Sequence, residues 1–148
     1  ICTRNRAAFA VKCLRSGLDQ TLPPEQYEVL VIDNGATDAT GEALKPHISQ
    51  RVLYIHESVV GLSRARNTAW QNAASPYVGY IDDDAVAGRE WLESALSCFK
   101  DVTPSPDWVG GPIHLDWETA QPAWINEELS VPLGKVDWGP APRWLTSM

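Results

Sequence analysis

Apolar positions recur at helical spacing from Asn5 to Gln20, with Ala7, Val11, Leu14 and Leu18 on one face, and this predicts a first helix. The Pro23-Pro24 pair ends it, because proline lacks a backbone donor and disfavours helix in the residue before it. The pattern then changes. YEVLVI (27–32) is a short unbroken apolar run rich in β-branched residues, as expected of a buried parallel strand, and it stops at the turn signal Asp33-Asn34-Gly35. A short helix is expected over Thr40–Leu44, broken by Pro46, and a further strand over Arg51–Ile55. Ser63 is the expected N-cap of a helix running to about Ala74. Tyr77–Ile81 reads as the next strand and runs directly into Asp82-Asp83-Asp84. A helix from Arg89 to Lys100 follows, with Trp91, Leu92, Leu96 and Phe99 on its apolar side, and then a short strand at Trp108–Val109. Ile1-Cys2-Thr3 reads as the closing residues of a first strand. With no initiator Met, the sequence is expected to be a fragment.

Strands alternating with helices imply an α/β fold with a mostly parallel sheet flanked by helices. Open sheets of this kind bind ligands outside the carboxyl ends of their strands. Those ends carry Thr3-Arg4, Asp33-Asn34, His56-Glu57 and Asp82-Asp83-Asp84, so polar groups are expected to gather along one edge.

Composition narrows the classes. Lys and Arg total 12 against 19 Asp and Glu, a net charge of −7, which argues against a nucleic-acid partner because that needs a basic face. A small anionic ligand remains compatible if a metal ion supplies local positive charge. Three cysteines without CxxC pairing, Cys2, Cys13 and Cys98, read as ordinary buried thiols of a reducing, cytoplasmic compartment. No apolar run in the sequence approaches the roughly 18 residues that span a bilayer. Membrane association, at its cytoplasmic face, is therefore expected only through segments outside these residues.

Three adjacent carboxylates are costly to hold together, since two charges about 5 Å apart repel by roughly 3 kcal/mol at an effective dielectric near 20. On a strand, Asp82 and Asp84 would point one way and Asp83 the other. Such hard oxygen ligands suit Mg²⁺ or Mn²⁺, which take one or two carboxylates and complete their shell with phosphate oxygens and water. The plainer reading is an acidic turn before a helix. Asp33 is either the first residue of a turn or a carboxylate facing a ribose hydroxyl or base N–H. Arg66 falls in the first turn of its expected helix, where the dipole disfavours a cation; it is either a solvated arginine or the partner of an anionic ligand. Five of the seven tryptophans lie from Trp108 onward, suited to core and loop packing or to stacking on a sugar. His47, His56 and His114 show no ligand spacing, and neither GxGxxG nor GxxxxGK[ST] is present.

Taken in order, ICTRNR, VIDNGATDAT, GLSRARN, YIDDDAV and VGGPI resemble the family 2 glycosyltransferases of the GT-A (Rossmann-like) fold. The resemblance covers Ile1 to about Pro112 and implies a donor-binding core over 1–112, with 113–148 the start of an acceptor-side region and the fold incomplete at both ends. It implies that Thr3 and Arg4 line a nucleotide pocket, Asp33 reads the base, and Arg66 lies at the nucleotide end. Asp82 and Asp84 match the outer acids of a DxD element, with Asp84 the direct metal ligand, joined by Asp82, and with Asp82 or Asp83 near the ribose. Ala36 replaces the serine often found after the DNG turn.

The implied reaction is metal-dependent, inverting transfer of a sugar from a nucleotide-diphosphate sugar, UDP-linked by resemblance, to a saccharide or glycoconjugate hydroxyl in polysaccharide synthesis. None of Asp116, Glu118, Glu127, Glu128 and Asp137 matches the family's general base, which is expected beyond Met148, so residues 1–148 alone are expected to transfer no sugar. Two rival readings are a non-catalytic nucleotide- or sugar-binding module and a haloacid dehalogenase-type phosphatase. The phosphatase would carry its DxD on the first strand, whereas here three strand candidates precede it.

Overall fold

In a computed structural model, which describes residues 1–137, 139, 143 and 144, eight principal elements follow one another. They are β1 (Cys2–Thr3), α1 (Ala7–Leu18), β2 (Val29–Asp33), α2 (Thr40–Leu44), β3 (Val52–His56), α3 (Leu62–Asn72), α4 (Trp91–Asp101) and α5 (Glu127–Ser130). Strands β1, β2 and β3 form a parallel sheet in that order. Its register pairs Thr3 with Asp33 and Asp33 with His56, so the carboxyl ends of all three strands finish level.

Helices cover both faces of the sheet, which explains why β2 is apolar without alternation. On one face Val31 and Val52 pack with Ala10, Cys13 and Leu14 of α1 and Leu44 of α2. On the other, Ile32 packs with Ala65 and Ala69 of α3. The buried side of α1 is Ala10, Cys13, Leu14 and Gly17, one position round from the expected stripe, so that Val11 and Leu18 flank the contact and do not centre it. A small residue in each turn lets α1 lie close against the sheet.

Three expectations are corrected. Helix α3 begins two residues earlier than a Ser63 cap implies: Gly61 is its N-cap, and the turn leading into α3 is fixed by Asn34, whose Oδ1 accepts from Gly61 N–H. Tyr77–Ile81 is not a strand. Among the described residues this region makes a single parallel bridge, Cys2 with Asp82, and Tyr77, Val78 and Tyr80 are exposed. Trp108–Val109 is irregular, and the antiparallel bridge in that region joins Ile113 and Val136.

The chain divides into two units, Ile1–Ser97 and Cys98–Met148. In the first, the amino end of α4 is tied to the end of α1. Leu92 N–H donates to Gln20 Oε1 at 3.1 Å, and the Thr21 hydroxyl to Glu93 Oε2 at 2.6 Å. In the second, Asn126 caps α5 by accepting from Leu129 N–H, and Lys135 pairs with Glu127 at 2.5 Å. Trp108, Trp124 and Trp144 are exposed there, which removes the core-packing reading for those three; Trp117 is half-buried, and Trp138 lies outside the described residues. Among the described residues no helix is long and apolar enough to cross a membrane. Cys2, Cys13 and Cys98 are free thiols, but only Cys13 is buried as expected; Cys2 and Cys98 are partly exposed.

Candidate functional site at the carboxyl edge of the sheet

The site begins with β1. Its two residues hold Thr3 buried beside the end of β2, with Asn34 N–H donating to Thr3 O at 2.9 Å. The chain then turns sharply at Asn5, whose φ of 55° is left-handed, a conformation asparagine tolerates better than most residues. Asn5 Oδ1 accepts from Thr37 N–H at 2.7 Å, so the turn after β1 is laced to the turn after β2. Arg4 and Arg6 flank Asn5, and both line a cleft of about 260 Å³ with Thr3, Asn34, Gly61 and Asp83.

The three acids lie together at this edge, but not in the alternating arrangement expected of a strand. Asp82 makes the bridge to β1, and Asp83-Asp84 turn away from it. Asp83, in the middle, is the buried one: its Oδ2 accepts from the Thr3 hydroxyl at 2.7 Å. Arg6 Nη1 lies 3.1 Å from Asp83 Oδ1 and 2.8 Å from Asp84 Oδ2, so these two carboxylates share one guanidinium. Hydrogen bonding to Asp84 pushes the already high pKa of Arg6 further up. Asp82 is mostly exposed and pairs with Arg66 Nη2 at 3.1 Å. Repulsion among the acids is thus offset by two arginines and a hydroxyl.

Arg66 reaches Asp82 from the second turn of α3, being the fifth residue of that helix. The argument from an unfavourable first-turn arginine therefore does not hold. The basic residue of the first turn is Arg64, and Glu57 neutralises it at 3.2 Å. Glu57 also accepts from Val59 N–H and the Thr68 hydroxyl, and these bonds, Val59 first, hold its pKa below the ordinary carboxylate value.

Asp33 is buried at the end of β2. Its Oδ1 accepts from Ala36 N–H at 2.7 Å, closing a turn in which Gly35 takes a φ of 69°. Its Oδ2 accepts from the Tyr54 hydroxyl, and His56 Nδ1 lies 3.8 Å away. Burial, and then this bond to Asp33, push the Tyr54 phenol up to about 12. Asp33 thus closes the turn, and each of its oxygens keeps a second lone pair for a further donor.

Sequence reasoning missed Arg6, Tyr54 and the side chain of Asn34. Asn34 Nδ2 donates to Glu57 O and Val59 O, and its Oδ1 accepts from Gly61 N–H. The only available signal for Arg6 was a second basic residue two positions after Arg4 at a strand end. Among the described residues no three His, Cys, Asp or Glu side chains converge on a metal-sized point. Exposed carboxylates at Asp82 and Asp84 nonetheless fit a cation that draws one or two ligands from protein and the rest from phosphate and water.

The sequence model described as Glycosyl transferase family 2 matches residues 1–132. The chain is 30% identical over 116 residues to the glycosyltransferase AglE of Haloferax volcanii, covering 76% of this chain and 38% of AglE. It is 29% identical over 130 residues to the succinoglycan biosynthesis protein ExoM of Rhizobium meliloti, covering 85% of this chain and 41% of ExoM. Among solved structures it resembles the mannosyltransferase PcManGT of Pyrobaculum calidifontis, determined in complex with GDP-Man and Mn²⁺, at 29% identity and a TM-score of 0.63. That match covers 68% of this chain and 31% of PcManGT. The chain thus spans less than half the length of each of these relatives.

Proposed function

The chain belongs to glycosyl transferase family 2, and on that premise we propose that the cleft at its sheet edge binds a nucleotide-diphosphate sugar together with Mg²⁺ or Mn²⁺. The proposed reaction is inverting transfer of the sugar to a saccharide or glycoconjugate hydroxyl, in polysaccharide or glycoconjugate synthesis in the cytoplasm. One observation carries this reading: Thr3, Asp33 and the Asp82-Asp83-Asp84 turn, with Arg4 and Arg66, converge at the carboxyl edge of one parallel sheet. The 29% identical PcManGT, solved with GDP-Man and Mn²⁺, supports the class of donor and the cation.

In this reading Thr3 and Arg4 form the nucleotide wall, and Asp33 accepts a hydrogen bond from the base. Asp82 or Asp83 takes the ribose, with Arg66 beside Asp82. Asp84, helped by Asp82, holds the cation, which supplies Lewis-acid stabilisation of the leaving diphosphate. The protein's own contribution is orientation: Thr3 fixes Asp83 at 2.7 Å, and Arg66 restrains Asp82 at 3.1 Å, so the acids present one arrangement to the donor. We assign the general base to none of the carboxylates from Asp116 to Asp137. By family resemblance the nucleotide is UDP.

Calorimetric titration of UDP, GDP and dTDP with Mn²⁺, with Mg²⁺ and with chelator tests the proposal. UDP is expected to bind most tightly, and only with a divalent ion. Asp84→Ala should abolish the metal-dependent part, and Asp33→Ala should weaken UDP by roughly tenfold, as expected for a lost bond to a buried partner. Equal affinity in all three conditions would remove the cation from the reading, and wild-type affinity in Asp33→Ala would remove the base contact.

A further inference from the structure

The donor reading assigns work to Arg4 and Arg66 and none to Arg6, although Arg6 touches two of the three acids. Those two acids are held differently. Asp83 is buried and has the Thr3 hydroxyl, at 2.7 Å, as a second partner besides Arg6. Asp84 is half-exposed, with Arg6 as its ion-pair partner at 2.8 Å.

Arg6 has a fixed root and a free head. Its backbone N–H donates to Thr40 Oγ1 at 3.2 Å, and the preceding Asn5 is clamped to Thr37. Its side chain is 50% exposed and lines the same cleft as Thr3, Arg4 and Asp83. A guanidinium in this position fits phosphate as well as carboxylate, because its planar fork can donate two parallel hydrogen bonds to either.

We propose that Arg6 is a built-in rival of the divalent cation, holding Asp84 in the nucleotide-free protein and passing to the donor's phosphates when the cation takes Asp84. The proposal rests on the donor-site reading above. A guanidinium and a divalent ion repel when they share one carboxylate. The diphosphate gives the displaced guanidinium another anion within the same cleft, so one ion pair is exchanged for another and no charge is stranded. Metal and nucleotide then bind cooperatively, each strengthening the other by the same factor.

The test is Mn²⁺ binding to the full-length protein, followed by the electron paramagnetic resonance signal of free Mn²⁺, with and without UDP. In Arg6→Gln, Mn²⁺ affinity without nucleotide should rise by roughly 1.5-fold to fivefold, the range for an exposed ion pair. UDP affinity at saturating Mn²⁺ should fall, so the coupling shrinks. Arg6→Met, a second neutral replacement that keeps most of the stem, should behave alike if Arg6→Gln folds poorly. Arg6→Lys keeps the charge and should bind Mn²⁺ as the wild type does. Arg64→Gln, which removes a charge paired with Glu57, should leave Mn²⁺ affinity unchanged and controls for net charge. Unchanged or weaker nucleotide-free Mn²⁺ affinity in both neutral variants overturns the proposal and leaves the donor site standing. A wild type that binds neither Mn²⁺ nor UDP overturns both.

Discussion

Replacing Asn34 with alanine should loosen the wall of the cleft from the inside. Asn34 is 5% exposed, and its amide makes three bonds to one loop: Nδ2 donates to Val59 O at 2.8 Å and Glu57 O at 3.3 Å, and Oδ1 accepts from Gly61 N–H at 2.7 Å. A buried hydrogen bond contributes about 0.5–1.5 kcal/mol net, which puts three at roughly 3 kcal/mol. Val59 and Val60 are about half-exposed, so water can reach part of the loop and satisfy some of the freed groups. The expected loss is therefore about 2–3 kcal/mol, read from urea denaturation with an unchanged slope. Hydrogen exchange supplies the local readout, because the Gly61 amide should lose its protection. Asn34→Asp separates the contributions: it keeps an acceptor for Gly61 N–H but sets a charged oxygen against two carbonyls, and should cost at least as much while leaving Gly61 protected. A stability within about 0.5 kcal/mol of wild type in Asn34→Ala, with Gly61 still protected, would refute the latch.

Other consequences are equally open to measurement. A Cβ on Gly41 would lie 2.9 Å from the Tyr54 hydroxyl, so Gly41→Ala should part Tyr54 from Asp33. The lost bond to a charged group outweighs the helix-propensity gain of about 1 kcal/mol, giving a net loss near 1 kcal/mol. Absorbance titration should then find one more tyrosine ionising near the ordinary 10, where the wild type holds Tyr54 protonated up to about 12. Because Glu57 has a lowered folded pKa, its stabilisation is complete above the ordinary value of 4.5 and is lost as pH falls through the folded one. Urea midpoints on either side of pH 4.5 should accordingly fall less steeply in Glu57→Gln. Burial pushes the Cys13 thiol up to about 11, so mass spectrometry after alkylation at neutral pH should find Cys13 unmodified in the folded protein and modified in urea.

The parts of the fold that were legible in the sequence are those whose burial is carried by the chain's own neighbours. β2 and β3 fall within about two residues of their expected ends; β2, covered on both faces, needs apolar residues throughout. α2 lies at Thr40–Leu44 as expected, bounded by Pro46. The gathering of polar residues at one edge also followed, since strand–helix–strand connections force parallel strands. Where a feature depended on a distant partner, the sequence was silent. Residues 77–81 carry a strand's composition, yet the pairing seen here is the single bridge between Cys2 and Asp82, made across 80 residues. The Asn34 latch crosses 23 to 27 residues, and nothing in the order of residues announces it. Acid spacing likewise did not foretell that Arg6 and Arg66 would divide the three carboxylates between them.

The tie between Thr3 and Asp83 spans 80 residues, and this has a consequence for how the molecule comes together in time. β2 meets β3 across only 23 residues, as Val29 pairs with Val52, so this ribbon with α2 can form while the rest of the chain is still loose. Closing the larger loop costs only about 1 kcal/mol more than the smaller one, so the delay is one of rate more than of stability. Contacts of such long separation nevertheless arrive late along a folding path. During synthesis the acid turn emerges after β1, β2 and β3, unneutralised, and it finds Arg6 and Thr3 only after the sheet that displays them exists. A slow step that hides Asp83 should therefore follow the burial of Ile32, and mutations at Thr3 should retard that step while leaving the first collapse untouched.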